Sequence, residues 1–120
     1  MISLVTPTLN SAKYLETLIQ SVQKDSFVEK HIIVDSYSTD QTVEIAKSHG
    51  CIVLHCKPGN MYTAINKGIA TTSTKYVSYI NSDDIWKGYN ESFFNKSDIL
   101  YSDIDFIDSS NRFLHSFRSA

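Results

Sequence analysis

Strand-like and helix-like patterns alternate along this chain, and this alternation restricts its fold more than any other feature. Short runs of apolar and β-branched residues predict strands at residues 2–6, 31–34, 51–54 and 76–80. The segments between them carry apolar residues at helical spacing. Successive β-α units build a parallel sheet through right-handed crossovers and leave helices on its faces. The sequence therefore predicts a Rossmann-like α/β fold with a central, mainly parallel sheet and helices on both faces.

Local signals predict the boundaries of the first elements. Pro7 has no backbone N–H and is expected to end the first strand. Asn10 or Ser11 is the expected N-cap of the first helix, which should extend to about residue 24. Four apolar residues at helical spacing predict the buried face of this helix: Leu15, Leu18, Ile19 and Val22.

Two further helices are predicted after polar loops. The turn at residues 36–42 leads into a helix that Gly50 closes as the glycine after the C-cap. The segment Lys57-Pro58-Gly59-Asn60 is the strongest loop signal in the chain, and a third helix is expected to follow it. Three apolar residues fall on one face of this third helix: Tyr62, Ile65 and Ile69.

The C-terminal tail is predicted to form a β-hairpin. Residues 99–101 and 104–107 have strand character, residues 108–111 form a polar turn, and residues 112–117 return as the second strand. No linker, repeat or low-complexity tract interrupts the sequence. Residues 1–120 are therefore predicted to form a single domain.

Composition and charge argue against several classes of protein. A chain of 120 residues, 42% of them hydrophobic, is sufficient for one domain with a core. A net charge of −2 with scattered Lys and Arg gives no basic surface for nucleic acid. No run approaches the roughly 18 apolar residues of a membrane span, and the N-terminus lacks a signal-peptide pattern. A cytoplasmic protein is expected. The spacing of Cys51 and Cys56 fits neither a zinc site nor a disulfide.

The carboxyl ends of parallel strands meet at one edge of the sheet, and open α/β sheets bind ligands there. This edge would collect residues 6–10, 35–38, 58–62 and 81–84, which are rich in hydroxyl and acidic groups. The adjacent carboxylates of Asp83 and Asp84 repel each other unless a divalent cation lies beside them. A turn or a helix cap is the alternative role for this pair. The sequence lacks the glycine-rich patterns of a dinucleotide pyrophosphate site and of a P-loop.

Four segments, in this order and spacing, resemble family 2 nucleotide-sugar glycosyltransferases. They are residues 2–10 (ISLVTPTLN), 32–42 (IIVDSYSTDQT), 62–69 (YTAINKGI) and 79–84 (YINSDD), so the resemblance covers nearly the whole chain. It implies a GT-A fold and a nucleotide-sugar donor, with a UDP-sugar favoured. It also implies transfer of the sugar with inversion, assisted by Mn²⁺ or Mg²⁺.

Matched position by position, the resemblance implies three sets of site residues. Asp83 is the expected metal ligand of an Asp-x-Asp-like element, Asp84 is a second metal-binding and supporting acid, and both are assigned to catalysis. Inverting transfer also requires a general base within reach of the acceptor hydroxyl, for which the residues after Asp84 offer Asp103, Asp105, Asp108 and His115, with Asp103 preferred. Nine residues are expected to bind the nucleotide: Thr6, Pro7, Thr8, Asn10, Asp35, Ser36, Asn66, Asn81 and Ser82.

Structural roles remain open for several of these positions. Asp35 could serve only in a turn, and Asp40 could serve as a helix cap. Asn66 could contribute to packing and solubility within its helix. Ser36 and Asn81 stand where relatives of this family carry acids.

The sequence leaves two functions open. In the first, the chain is a glycosyltransferase acting on an unknown sugar or glycan acceptor, and a homodimer through residues 106–117 would complete its acceptor site. In the second, it is a nucleotide-sugar binding or donor-hydrolysing module without its own acceptor site. A purely structural domain of the same fold is a third reading. Neither nucleic acid nor a membrane span is expected in any of them.

Overall fold

The computed structural model describes residues 1–88, 104–107 and 113–117. The chain divides into two compact units, Met1–Lys87 and Gly88–Ala120. The first unit contains seven elements in this order: β1 (Ile2–Thr8), α1 (Ala12–Gln23), β2 (Val28–Asp35), α2 (Thr42–Ser48), β3 (Ile52–His55), α3 (Met61–Ile69) and β4 (Tyr76–Tyr79). In the second unit β5 (Ile104–Ile107) pairs antiparallel with β6 (Phe113–Phe117). The predicted turn at residues 108–111 lies outside the described residues, and the single domain stays a prediction.

The first unit is a four-stranded parallel sheet with the strand order β3-β2-β1-β4. The chain winds outward from β1 to β3 and then crosses back to the other side of β1. Right-handed crossovers in these two directions place α1 and α2 on one face and α3 on the other. On the α3 face, Ala64 packs against Val5, Ile32 and Val34. The predicted α/β fold with a parallel sheet and helices is confirmed.

The first strand does not stop at Pro7, as the sequence had suggested. β1 continues to Thr8, and Pro7 pairs in register with Val34 of β2. Along a strand, the backbone N–H and C=O groups of successive residues point alternately to its two sides. The carbonyl of Val5 accepts from Ile80 N on the β4 side, and the carbonyl of Thr8 accepts from Ser36 N on the β2 side. The missing N–H of Pro7 therefore points towards β4, which pairs with β1 only as far as Val5.

The apolar face of α3 that the sequence pattern marks is not its buried face. Ile65 is buried, but Tyr62 is 61% exposed and Ile69 is 38% exposed. The buried face consists instead of Ala64, Ile65 and Gly68. A Cβ built at Gly68 would lie 2.5 Å from Val5 Cγ1 and 3.1 Å from Val34 Cγ2. Small residues therefore let the helix backbone approach the sheet, and large apolar residues would not fit at this contact.

The ends of other strands differ from the predicted ends by one or a few residues. β2 begins at Val28, three residues before the predicted start, and β3 begins one residue late, at Ile52. β4 is half-buried rather than buried, because it lies at the edge of the described sheet, and Tyr79 is 46% exposed. Gly50 follows α2 with φ +78°, as its C′ role requires.

The helices in the described part of the chain are short. The longest, α1, has 12 residues. None of the described helices has the length and apolar character that crossing a membrane requires.

The close contact at Gly68 predicts the effect of adding one methyl group. Gly68→Ala should lower the free energy of unfolding by about 1 to 2 kcal/mol, because overpacking against Val5 outweighs the better helix propensity of alanine. Urea denaturation measures the change. In the double variant with Val5→Ala the loss should be smaller than the sum of the two single losses. Strictly additive losses would contradict the steric explanation.

Candidate functional site

A cleft of about 530 Å³ lies at the carboxyl ends of the strands in the first unit. Four segments line it: residues 7–11 with Tyr14, residue Ser36, residues 58–61 with Ala64, and residues 81–83. The first of these contains the end of β1. From β1 the chain adds β2 and β3 on one side of the sheet and then β4 on the other side. This is the topological switch point, where open α/β sheets bind their ligands.

The structure divides the predicted site residues into two groups. Seven of them line the cleft: Pro7, Thr8, Asn10, Ser36, Asn81, Ser82 and Asp83. Four do not line it: Thr6, Asp35, Asn66 and Asp84. Asn66 is exposed on α3. Asp103 lies outside the described residues.

Thr6 lies in the interior of the sheet and not on the cleft surface. Its side chain is fully buried, and its hydroxyl is 2.8 Å from Nε2 of His31 in β2. Nδ1 of His31 is enclosed and has no hydrogen-bond partner among the described residues. Burial lowers the pKa of His31 from 6.5 to about 4. Thr6 and His31 are therefore a neutral polar contact between two central strands.

Asp35 lies beneath the cleft and holds its floor. The side chain is fully buried at the end of β2. Its Oδ1 accepts from the hydroxyl of Thr8 at 2.7 Å and from the hydroxyl of Ser38 at 2.5 Å. Its Oδ2 accepts from the backbone N–H of Ser38 at 2.8 Å. Asp35 thus joins the end of β1, where Thr8 lines the cleft, to the loop that follows β2.

The loops after β1 and β2 are also joined to each other directly. Asn10 adopts φ +50°, which asparagine tolerates. Its backbone N–H donates to the hydroxyl of Ser38 at 2.8 Å, and its Oδ1 accepts from Thr39 N at 2.8 Å. The Asn10 carboxamide oxygen is therefore already bonded within the protein, while the residue as a whole lines the cleft.

Asp40 holds the starts of two helices together, which is more than the single cap predicted for it. Its carboxylate accepts from the backbone N–H of Ala12 at 3.1 Å and from that of Thr42 at 3.0 Å. It also accepts from the Thr42 hydroxyl. The Thr42 hydroxyl oxygen in turn accepts from Ser11 N at 2.8 Å. The hydrogen bond from Thr42 is the main cause that lowers the pKa of Asp40.

The loop before α3 brings Pro58, Gly59 and Asn60 to the cleft. Gly59 takes the positive φ, at +126°, and Asn60 is the N-cap of α3. The Asn60 Oδ1 accepts from Tyr62 N at 2.9 Å. This capping bond fixes where the loop meets the helix.

Asp83 and Asp84 follow β4 in a turn closed by a hydrogen bond from Asp84 N to the Asn81 carbonyl at 3.1 Å. Both residues are exposed, and only Asp83 lines the cleft. The Asp84 carboxyl is partly desolvated and lies near the negative charge of Asp83. These two effects raise the pKa of Asp84, and a hydrogen bond with the Asn81 backbone opposes them.

Among the residues that the structure describes, no group of three or more His, Cys, Asp or Glu is placed to hold a metal ion. The donors at the end of β4 are the Asp83 carboxylate, the Asn81 amide and the Ser82 hydroxyl, and all three residues face the cleft. Mg²⁺ in nucleotide sites is held by one or two carboxylates together with substrate phosphates and water. These residues therefore fit a cation whose remaining ligands come with the substrate.

Sequence reasoning missed the residues that helices contribute to the cleft. Tyr14 reaches it from the first turns of α1, and Ala64 reaches it from α3. Tyr14 is 44% exposed and does not belong to the buried face of its helix. An aromatic residue near the start of a helix and off its apolar face was the available signal.

Comparison with known proteins identifies relatives of this first unit. The family described as Glycosyl transferase family 2 matches residues 3–90. The glycosyltransferase GlyG of Streptococcus pneumoniae is 34% identical over 94 residues, which cover 72% of this chain and 31% of GlyG.

Solved structures agree with this match. The crystal structure of TarS residues 1–349 from S. aureus superposes with a TM-score of 0.65 at 28% identity and covers 70% of this chain. Glucosyl-3-phosphoglycerate synthase from Mycobacterium tuberculosis, in complex with Mn²⁺, UDP and glucosyl-3-phosphoglycerate, gives a TM-score of 0.61 at 32% identity and covers 68% of this chain. The present chain spans about a third of the length of these relatives.

The half-buried His31, whose pKa burial lowers, predicts a pH dependence of stability. The folded protein keeps His31 neutral, whereas the unfolded chain binds a proton below pH 6.5. The free energy of unfolding should therefore fall by about 2 kcal/mol between pH 7 and pH 5, and His31→Gln should flatten that fall. Urea denaturation at several pH values measures it. An equally steep fall in His31→Gln would contradict the assignment.

The three hydrogen bonds of Asp35 predict a loss of stability when its charge is removed. In Asp35→Asn, one carboxylate oxygen becomes a donor, so at least one of three buried donors loses its acceptor. The free energy of unfolding should drop by about 1 to 3 kcal/mol. Thr8→Val, which removes a single hydroxyl from the same network, is the matched comparison and should cost less. An Asp35→Asn variant as stable as the unmodified chain in urea would show that this network does not hold the cleft floor.

Proposed function

The chain belongs to glycosyl transferase family 2, and from this premise we propose that it binds a nucleoside-diphosphate sugar in the cleft and transfers the sugar to an acceptor. A UDP-sugar is the proposed donor, and inversion is the proposed stereochemical course. One observation carries the proposal: the cleft at the switch point of the sheet has an acidic end, at Asp83, that suits a cation-bound diphosphate.

The size and lining of the cleft support a nucleotide ligand. Its volume of about 530 Å³ is within the usual range for small-molecule sites. The polar residues Thr8, Ser36 and Asn60 line it together with the apolar residues Pro7 and Leu9. A mixture of this kind suits a ligand that has a flat base, a polar ribose and a charged diphosphate.

The structural relatives support the choice of UDP and of a divalent cation. The mycobacterial synthase has been solved with UDP and Mn²⁺, and also with UDP and Mg²⁺. In the present chain Asp83 would hold the cation from the cleft, with Asp84 beside it. A divalent cation bound there would act as a Lewis acid that offsets the negative charge developing on the departing diphosphate.

The chain's own residues would orient the donor. Asp35 and Asp40 fix the loops that carry Thr8, Asn10 and Ser11, so the polar groups on the cleft floor are already placed before the ligand arrives. Groups positioned in advance stabilise developing charge without the cost of reorganisation. The proposed roles of Asp35 and Thr6 are therefore positional, while Thr8, Ser36, Asn81 and Ser82 would contact the nucleotide.

Transfer also requires an acceptor and a general base, for which Asp103 remains the candidate. A module that only binds or hydrolyses the donor is the second candidate function. It is favoured by the described cleft, whose lining residues lie within residues 7–83. The acceptor, the homodimer and the base therefore stay predictions.

The cation site is tested at Asp83. Mn²⁺ should strengthen the binding of UDP to the unmodified chain in calorimetric titrations. Asp83→Asn keeps the shape of the side chain and removes its charge, so it should weaken Mn²⁺-dependent UDP affinity by about tenfold or more. Glu29→Gln neutralises an exposed acid near the start of β2, at the opposite end of the sheet, and should bind UDP like the unmodified chain.

An unchanged Mn²⁺-dependent affinity in Asp83→Asn would refute the assignment of the cation to this strand end.

The two candidate functions are separated by measuring UDP release from a panel of UDP-sugars with the unmodified chain. Release of UDP that depends on an added acceptor supports transfer. Release at the same rate without an acceptor supports the donor-hydrolysing module.

A further inference from the structure

The loop after β2 contains a strained aromatic residue at the side of the cleft. Tyr37 adopts φ +58° and is 63% exposed. Bulky residues rarely adopt this left-handed conformation, which glycine enters without steric cost. Tyr37 does not line the cleft itself, but it directly follows Ser36, which does. A strained backbone that presents a large exposed ring beside a ligand cleft points to a function for that ring.

The Tyr37 ring stacks on His55, which the sheet holds in place. It stacks on the ring of His55 with a centroid distance of 5.4 Å and an interplanar angle of 17°. His55 is the last residue of β3 and pairs in register with Asp35. The backbone continues this pairing, because Cys56 N donates to the Asp35 carbonyl at 3.0 Å. The carbonyl of His55 also accepts from Nζ of Lys67 in α3. The stacked pair is therefore built on the ends of β2 and β3.

The strand order places this pair at the opposite side of the site from Asp83. Neighbouring strands lie about 4.8 Å apart, so the ends of β2 and β3 are roughly 10 to 14 Å from the end of β4. If a cation at Asp83 holds the diphosphate, the ribose carries the base across the end of β1 and away from β4. The base then arrives at the ends of β2 and β3.

We infer that the exposed face of Tyr37, backed by His55, stacks on the nucleobase of the donor nucleotide. The inference rests on the proposed function and adds to it the residue that receives the base. Stacking on an aromatic ring is tolerant of base identity, because every base has a π-face. Tyr37 therefore contributes affinity for the base, and hydrogen-bonding groups such as those of Ser36 are left to discriminate between bases.

The alternative role for Tyr37 is purely structural, namely to cover the His55 ring. Tyr37→Gly separates the two roles, because glycine adopts φ +58° without strain and removes only the ring. Tyr37→Phe is the matched control, since it keeps an aromatic face and loses the hydroxyl. The probes are UDP, which carries a base, and inorganic pyrophosphate, which does not, each titrated calorimetrically in the presence of Mn²⁺.

The expected result is a loss that depends on the base. Tyr37→Gly should bind UDP about fivefold or more weakly than the unmodified chain, with unchanged affinity for pyrophosphate and no drop in melting temperature. Tyr37→Phe should bind UDP nearly as well as the unmodified chain.

Three results would overturn the inference in distinguishable ways. Equal UDP affinity in Tyr37→Gly and the unmodified chain would show that the ring does not contact the base. An equal loss of affinity for UDP and pyrophosphate would show that Tyr37 acts on the whole site rather than on the base. Failure of the unmodified chain to bind UDP with Mn²⁺ would overturn the proposed function as well.

Discussion

The buried carboxylate of Asp35 is the interaction on which the cleft depends. It lies at the end of a central strand, and its two oxygens accept three hydrogen bonds from Thr8 and Ser38. A buried charge without partners would be costly, so the carboxylate requires these donors as much as they require it. The same Ser38 hydroxyl accepts from Asn10. One buried group therefore fixes two adjacent loops, and the cleft-lining residues on those loops are held in place without a ligand.

Much of the first unit follows from periodicity alone, and the exceptions have physical causes. The order of strands and helices was predicted because each buried face repeats at its own period. Pro7 continued as strand because its missing N–H points to a side where pairing has already ended. The apolar pattern of α3 did not give its buried face: Tyr62 and Ile69 are exposed, whereas Gly68 lies where the sheet approaches too closely for a larger residue. The distance between a helix and the sheet cannot be predicted from the local sequence pattern.

The candidate site was predicted more accurately in its segments than in its side chains. The carboxyl ends of β1, β2 and β4 do meet at one cleft, which strand order alone implies. The direction in which a side chain points at a strand end was predicted less accurately. Asp35 turns inward and Ser36 faces the cleft, and a shift of one residue decides between these directions. The contributions of α1 and α3 depend on how helices sit on the sheet, which the local pattern does not give.

The cleft separates two kinds of interaction along the sheet edge. Its β4 end carries the carboxylate of Asp83. The adjacent Asp84 does not line the cleft, and its pKa is raised by partial burial and by Asp83, so a cation would relieve an existing repulsion there. Next to Ser36, the ends of β2 and β3 carry the Tyr37–His55 stack, which does not itself line the cleft, and no acid at these strand ends faces the cleft among the described residues. A nucleoside diphosphate has the same division, with its charge at one end and a flat ring at the other. Only one orientation of such a ligand matches both ends, and β1, at the switch point, lies between them.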